Sequence, residues 1–251
     1  MTLKDRVVVV TGGNGGIGLG IARGIVRHGG AVALWGRNEE KTERAVAELT
    51  DLGGRALGLR CDIANEGSVA WAMAETLKSF GHVHGLIANA ALPAQRQSFL
   101  ESSLEEWRRI LEVDLFGTVA TLRAGAQAIV DGGTSGALVV VSSVSAIDGA
   151  PGVLPYAASK TALLGVVRGL AVELARYKIR VNALLPGWVE TEMTEPLQEN
   201  ERFIEVTTQR TPVRRWGSPS DFEEVGAYLA DPDLNFHTGD TVVVDGGYSI
   251  F

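Results

Sequence analysis

Tyr156 and Lys160 stand four residues apart in a stretch with helical periodicity. At that spacing two side chains share a helix face, about 5–6 Å apart at Cβ, so an ammonium can sit in the neighbourhood of a phenol. A free phenol has a pKa near ~10, too high for a good base at neutral pH, and an adjacent cation favours its ionised form. The pair is therefore a candidate for giving or taking a proton. Ser143, thirteen residues before Tyr156, follows the apolar run Val139–Val141 and adds a hydroxyl able to steady a substrate oxygen on which charge develops. A tyrosine and a lysine at this spacing also occur on ordinary surfaces, so the trio needs a scaffold that gathers it.

A second constellation, Thr11-Gly12-Gly13-Asn14-Gly15-Gly16-Ile17-Gly18, directly follows the apolar run Val7–Val10. Glycines let the chain turn tightly and let backbone N–H groups approach a pyrophosphate at the positive end of the helix that begins near Ile17. The spacing of Gly12, Gly16 and Gly18 is G-x-x-x-G-x-G rather than G-x-G-x-x-G, so alone it also fits a turn without a ligand. The second apolar run ends Trp35-Gly36-Arg37-Asn38. Dinucleotide folds place an acid there against a ribose 2′-hydroxyl, or an arginine against a 2′-phosphate. Here Gly36 holds the acid position and Arg37 follows, which favours NADP(H), because arginine makes bidentate bonds to phosphate. NAD(H) is the alternative, and Asn14 is a further candidate contact.

The elements that must position these residues are short apolar runs alternating with segments of helical period. Strands are predicted at Val7–Val10, Ala31–Trp35, Ala56–Leu59, Leu86–Ala88, Ala137–Val141, Val181–Leu185 and Thr241–Val244. Helices are predicted over 17–29, 39–53, 66–80, 103–130, 157–177 and 219–230. Ile17, Ile21 and Ile25 form one apolar stripe. Strands without strict alternation suggest a parallel sheet covered on both faces, and their alternation with helices implies a doubly wound α/β fold. Ser143 then lies at the carboxyl edge of the sheet, where such folds bind ligands. No repeat or linker divides the chain, so 1–251 is expected to form one domain. Over about 188–218 the strand rhythm lapses while Trp188, Met193, Leu197, Phe203 and Trp216 recur, which suggests a lid over a mixed pocket or a solvated helical insertion. Leu92–Arg96 and Ala150–Pro155 are candidates for the other walls.

Together these segments resemble the short-chain dehydrogenase/reductase family. The matching residues are Thr11–Gly18, Asp62-Ile63, Ala88-Asn89-Ala90, Ser143, Tyr156 with Lys160, and Pro186-Gly187 followed by Thr191, in that order over nearly the whole chain. The resemblance implies a Rossmann-like seven-stranded sheet and hydride transfer between a nicotinamide and a carbonyl or secondary alcohol. It implies that Tyr156 is general acid in reduction and base in oxidation, and that Lys160 also binds the nicotinamide ribose. Asp62 and Ile63 would lie along the adenine, and Asn89 and Ala90 would form the floor under the cofactor. Pro186, Gly187, Val189 and Thr191 would hold the nicotinamide end, with Trp188, Ser143 and Tyr156 on the substrate. Overall similarity to 3-oxoacyl carrier-protein reductases is the default for substrate, and a homotetramer is the family's common assembly.

Two positions depart from the family pattern. Ala91 stands where many members have glycine, and Asp114 stands where many have an asparagine whose backbone carbonyl helps hold a water linked to the lysine. That carbonyl survives the change. A carboxylate near Lys160 would stabilise the cation, offset its pull on Tyr156 and move oxidation to higher pH; alternatively Asp114 points outward as a helix-surface acid.

Composition narrows the remaining classes. A net charge of -7 and no basic run with interleaved aromatics argue against nucleic acid as a partner. No apolar stretch approaches the ~20 residues of a membrane span. A single cysteine, Cys61, and four histidines without ligand spacing support neither disulfide nor metal, and a cytoplasmic setting is expected. The rivals are an NAD-dependent alcohol or polyol dehydrogenase and a cofactor-sensing regulator. Retention of Ser143, Tyr156 and Lys160 together argues against the regulator.

Overall fold

The seven apolar runs become seven strands of one parallel sheet in the computed structural model, which describes residues 2–93 and 95–251. In chain order the elements are β1 (Val7–Thr11), α1 (Gly16–Arg27), β2 (Ala31–Gly36), α2 (Glu39–Asp51), β3 (Arg55–Arg60), α3 (Glu66–Phe80), β4 (Gly85–Ala88) and α4 (Leu104–Leu111). A π-helical turn (Glu112–Gly117) leads into α5 (Thr118–Asp131), then β5 (Gly136–Val141), α6 (Leu154–Leu174) and β6 (Ile179–Pro186). The chain ends through α7 (Glu195–Gln198), α8 (Glu201–Arg210), α9 (Glu223–Ala230) and β7 (Thr241–Val244). The strand order is β3-β2-β1-β4-β5-β6-β7, parallel throughout. The winding reverses beside β1, so connections leave the carboxyl ends of β1 and β4 in opposite directions and open a crevice there.

Alternating side chains divide the core between the two faces of the sheet. Val9 packs with Val69 of α3, Leu122 of α5 and Leu163 of α6, whereas Val8 and Val10 pack with Ile21 and Ile25 of α1 and Leu49 of α2. Burial on both faces is why the central strands read as unbroken apolar runs. The edges differ from expectation: β3 and β7 are outermost and only partly buried, because each has a neighbour on one side. In the predicted α1 stripe, Ile21 and Ile25 are fully buried, each stabilising by about 2 kcal/mol relative to exposure. Ile17 stays half-buried and faces the crevice.

Two predicted helices are modified where chemistry is expected. The helix expected over 103–130 is interrupted by the π turn, whose wider loop admits an extra residue and turns Asp114 fully inward. The outward orientation considered for Asp114 is thereby excluded. The helix expected over 157–177 begins earlier, at Leu154. Pro155 sits in its first turn, where a missing N–H has no helical partner to lose, so Tyr156 and Lys160 occupy the first two turns. The segment 188–218 is helical in part: α7 and α8 lie within it, and Asn200 caps α8 by accepting from the Phe203 N–H at 3.0 Å. Its two ends are joined by Glu190 N–H to Gly217 O at 2.9 Å and Gly217 N–H to Trp188 O at 2.8 Å. Among the described residues no helix is long and apolar enough to cross a membrane.

Candidate active site

The crevice is a cavity of about 740 Å³ running from Arg37 past the glycine turn to Tyr156 and on to Trp188 and Leu197. Its first wall is backbone. Gly12 and Gly16 adopt φ of +61° and +52°, a region that disfavours any side chain. A Cβ at Gly12 would approach the Asn89 amide nitrogen to 3.0 Å, and one at Gly18 would come within 2.5 Å of that nitrogen and of the Gly12 carbonyl oxygen. Asn89 is the pin of the turn: its amide donates to Thr11 O at 3.0 Å and Gly12 O at 3.2 Å. The Thr11 hydroxyl in turn accepts from Asn89 N–H and Ala90 N–H at 3.0 and 3.1 Å. Gly12, Gly16, Ile17, Asn89 and Ala90 line the cavity, whereas Gly18 lies behind it and allows the pin to approach. Ala91 also lines the cavity without displacing this floor.

At the end beside β2 the position of an acid is held by Gly36, which is crowded by the Asn14 and Thr42 side chains. A Cβ there would lie 2.3 Å from the Asn14 amide nitrogen. That nitrogen donates to Thr42 Oγ1 at 2.9 Å and to Asn38 O at 3.4 Å, so Asn14 ties the glycine turn to α2 as well as lining the cavity. Asn38 caps α2 by accepting from Lys41 N–H at 2.9 Å. Arg37 is exposed at the rim, and Asp62 and Ile63 line the same end. Sequence reasoning missed Lys41. Its ammonium lies beside Gly15, lines the cavity and reaches Glu192 at 2.5 Å. The signal was available in the first turn of α2, four residues beyond Arg37, where a cation faces back toward the glycine turn.

Beyond the turn the wall becomes side chains. Ser142 and Ser143 directly follow β5, and Ser142 Oγ donates to the Lys160 carbonyl at 2.9 Å while Lys160 Nζ donates to Val141 O at 3.1 Å. These two bonds lock α6 to the strand end. Lys160 is buried, with its ammonium 5.4 Å from the centre of the Tyr156 ring, and Ser143, Tyr156 and Lys160 all line the cavity. Enclosure pushes the Tyr156 phenol up to about 12; Asp114 adds to the rise, and the Ser143 hydroxyl works against it. Lys160 is lowered by burial against the opposing pull of Asp114.

Asp114 does not line the cavity; it stands behind it. Its Oδ1 accepts from Leu92 N–H at 2.8 Å, while its Oδ2 is buried without a partner. An unpartnered buried acceptor costs about 1–3 kcal/mol, so the π turn holds Asp114 inward against an electrostatic penalty. Burial accordingly raises its pKa, with Lys160 and the Leu92 N–H opposing.

The nicotinamide-end residues Pro186, Gly187, Val189 and Thr191 line the cavity where β6 ends, and Thr191 leans over Gly16, 3.2 Å from where a Cβ would be. Of the aromatic and apolar residues singled out in 188–218, Trp188, Met193 and Leu197 face the cavity. Phe203 and Trp216 do not. They brace Trp188 from behind, Trp216 stacked at 5.4 Å and Phe203 edge-on at 5.0 Å. Trp216 is buried and donates from its indole to Thr207 Oγ1 at 2.9 Å, which rules out a freely solvated insertion. Of the other expected walls, Leu92, Pro93, Arg96 and Val153 line the cavity, and Ala94 lies outside the described residues.

The family model described as Enoyl-(Acyl carrier protein) reductase matches residues 12–249. The chain is 33% identical over 248 residues to 2,5-dichloro-2,5-cyclohexadiene-1,4-diol dehydrogenase of Sphingobium indicum, covering 98% of each protein. Among solved structures it resembles 3-oxoacyl-[acyl-carrier protein] reductase from Brucella melitensis in complex with NAD, with TM-score 0.93, 34% identity and 98% of each chain covered. It is equally similar in fold to a gluconate 5-dehydrogenase from Burkholderia cenocepacia in complex with NADP and tartrate, with TM-score 0.93, 31% identity, and 100% of this chain and 97% of that one covered. The chain belongs to the short-chain dehydrogenase/reductase family and is an oxidoreductase acting on alcohol or carbonyl groups. A nicotinamide dinucleotide fits the cavity on this structure's own terms: side-chain-free backbone at Gly12 and Gly16, a helix N-terminus behind it, and cations at Arg37 and Lys41.

Proposed function

We propose that this protein is an NADP(H)-preferring reductase of small carbonyl compounds, with Tyr156 as general acid in reduction and general base in oxidation. When bound, the dinucleotide supplies or accepts the hydride. Gly12, Gly16 and Ile17 would hold its pyrophosphate, Asp62 and Ile63 its adenine, and Val189 and Thr191 its carboxamide. Tyr156 protonates the substrate oxygen, Ser143 donates to the same oxygen as charge develops there, and Lys160 keeps a cation beside the phenol. The Tyr156 phenol, raised by its enclosure, is protonated at neutral pH, the form that delivers a proton in reduction, and it must ionise before it can act as base in oxidation. Asp114 acts through Leu92 and the field at Lys160 and Tyr156, as a positioning residue.

The observation that carries the NADP preference is a glycine in place of an acid at position 36, beside Arg37 and Lys41. Glycine at position 36 offers no carboxylate to an unphosphorylated ribose, and a side chain there would have to push the Asn14 amide aside, while Arg37, and Lys41 beside its partner Glu192, supply positive charge for a 2′-phosphate. An NAD-dependent alcohol or polyol dehydrogenase is the second possibility, favoured by the gluconate- and diol-oxidising names among similar proteins. Residues 188–218 serve as the substrate lid of one catalytic domain, and resemblance supports a cytoplasmic homotetramer. Titration of purified protein with NADPH and NADH by nicotinamide fluorescence tests the proposal. Binding of NADPH about ten-fold or more tighter than NADH is expected from one or two charge-assisted bonds; tighter NADH binding overturns it.

A further inference from the structure

Lys41 and Glu192 meet from opposite sides of the crevice. Lys41 stands in the first turn of α2, just after β2, and Glu192 stands in the loop after β6. In the sheet these two strands are held apart by β1, β4 and β5, which makes four strand spacings or about 19 Å. Their ion pair, at 2.5 Å, therefore spans the carboxyl ends of the strands where the crevice opens. Among the described residues it is the only salt bridge between two residues of the cavity wall. A Cβ on Gly15 would lie 2.5 Å from Lys41 Nζ and 2.7 Å from its Cε, so the lysine stem crosses the glycine turn, and Thr191, the neighbour of Glu192, leans over Gly16. The Glu192 side chain is 74% exposed and that of Lys41 24%, which sets the pair at the solvent rim of the cavity. The loop that carries Glu192 is tied internally: the Thr194 hydroxyl accepts from Thr191 N–H at 3.1 Å and donates to Val189 O at 2.7 Å.

We propose that Lys41 and Glu192 form a strap over the glycine turn, and that the dinucleotide enters and leaves the cavity by parting them. The inference rests on the dinucleotide seat proposed above and adds what governs exchange of the cofactor. An ammonium carries three donors, so Lys41 can hold Glu192 and a cofactor phosphate at once. The strap also fastens the loop bearing Met193 to the wall that holds the cofactor, so the substrate side closes together with the cofactor side. An ion pair at an exposed rim is weak, which suits a catch that opens in every turnover, and lid opening is a slow step in many enzymes.

The test is release of cofactor by stopped flow. Protein loaded with NADPH is mixed with excess NADP, and protein loaded with NADH with excess NAD, and nicotinamide fluorescence is followed. Glu192→Gln should release both cofactors about two- to five-fold faster, the range of one exposed ion pair. The sign discriminates, because removing a negative charge beside an anionic ligand would by itself slow release. Lys41→Glu alone should also speed release of NADH, and the reversed pair, Lys41→Glu with Glu192→Lys, should bring it back toward the wild-type rate. Added salt should speed release from the wild type more than from Glu192→Gln. Release unchanged or slowed in Glu192→Gln, with both cofactors still bound, overturns the strap alone. Failure of the wild type to bind either dinucleotide overturns it together with the seat on which it rests.

Discussion

The two halves of the cavity are built from different material. Around β1 and α1 the wall is backbone, held open by glycines whose missing side chains are dictated by contacts of 2.5–3.0 Å and by positive φ. Around residues 188–218 the wall is side chains from the loop after β6 and from α7, with Trp188 braced by Phe203 and Trp216. A backbone wall tolerates little change, because an atom added at Gly12 or Gly18 meets main chain or the Asn89 pin and one at Gly16 meets Thr191. A side-chain wall can be re-lined without disturbing the sheet. The first half suits a ligand that does not vary, and the second suits a pocket that sets substrate choice.

The contrast can be broken from either side. Gly18→Ala forces a methyl against Gly12 O and Asn89 Nδ2 and should weaken binding of NADPH and NADH alike by about 100-fold, the cost of misplacing a site by roughly 1 Å. Titration of both cofactors checks it, and unaltered affinity would show that the turn is not the cofactor's seat. On the other side, Trp188→Ala should raise KM for a carbonyl substrate by about ten-fold or more, as expected for loss of a large packed aromatic, with little change in cofactor affinity. A parallel loss of NADPH binding would merge the two halves.

Smaller effects sharpen the boundary between them. Arg37→Ala and Lys41→Ala should each lower the NADPH-over-NADH preference by several-fold to about ten-fold, because these rim cations are partly exposed and screened. Increasing salt should reproduce part of that loss. Asp114→Asn should shift the pH profile of alcohol oxidation to lower pH. Asp114 raises the Tyr156 pKa, the base must ionise for oxidation, and removing the acid lets it ionise earlier. An unaltered profile in that variant would leave Asp114 with its structural bond to Leu92 alone.

The same contrast explains what was legible in the sequence. Gly12, Gly16, Asn89, Ser143, Tyr156 and Lys160 could be read because a backbone turn, a strand end and one helix face each restrict residue type and spacing. The doubly wound sheet followed from runs buried on both faces, and only the edge strands β3 and β7 were assigned too much burial. The π turn at Glu112–Gly117 left no mark, since its residues suit an α-helix as well, and so the orientation of Asp114 stayed open until the fold was known. Lys41 and the bracing role of Phe203 and Trp216 depend on how separate segments meet, which periodicity does not encode.

The central claim, that Tyr156 gives the proton while the rest of the cavity holds the cofactor, is tested most directly by comparing wild type with Tyr156→Phe. NADPH affinity and NADPH-driven turnover of a panel of ketones would be measured on both proteins. NADPH binding retained in Tyr156→Phe, with turnover reduced by about 100- to 10,000-fold, is the predicted result. Turnover of the variant near the wild-type rate would contradict the assignment of Tyr156.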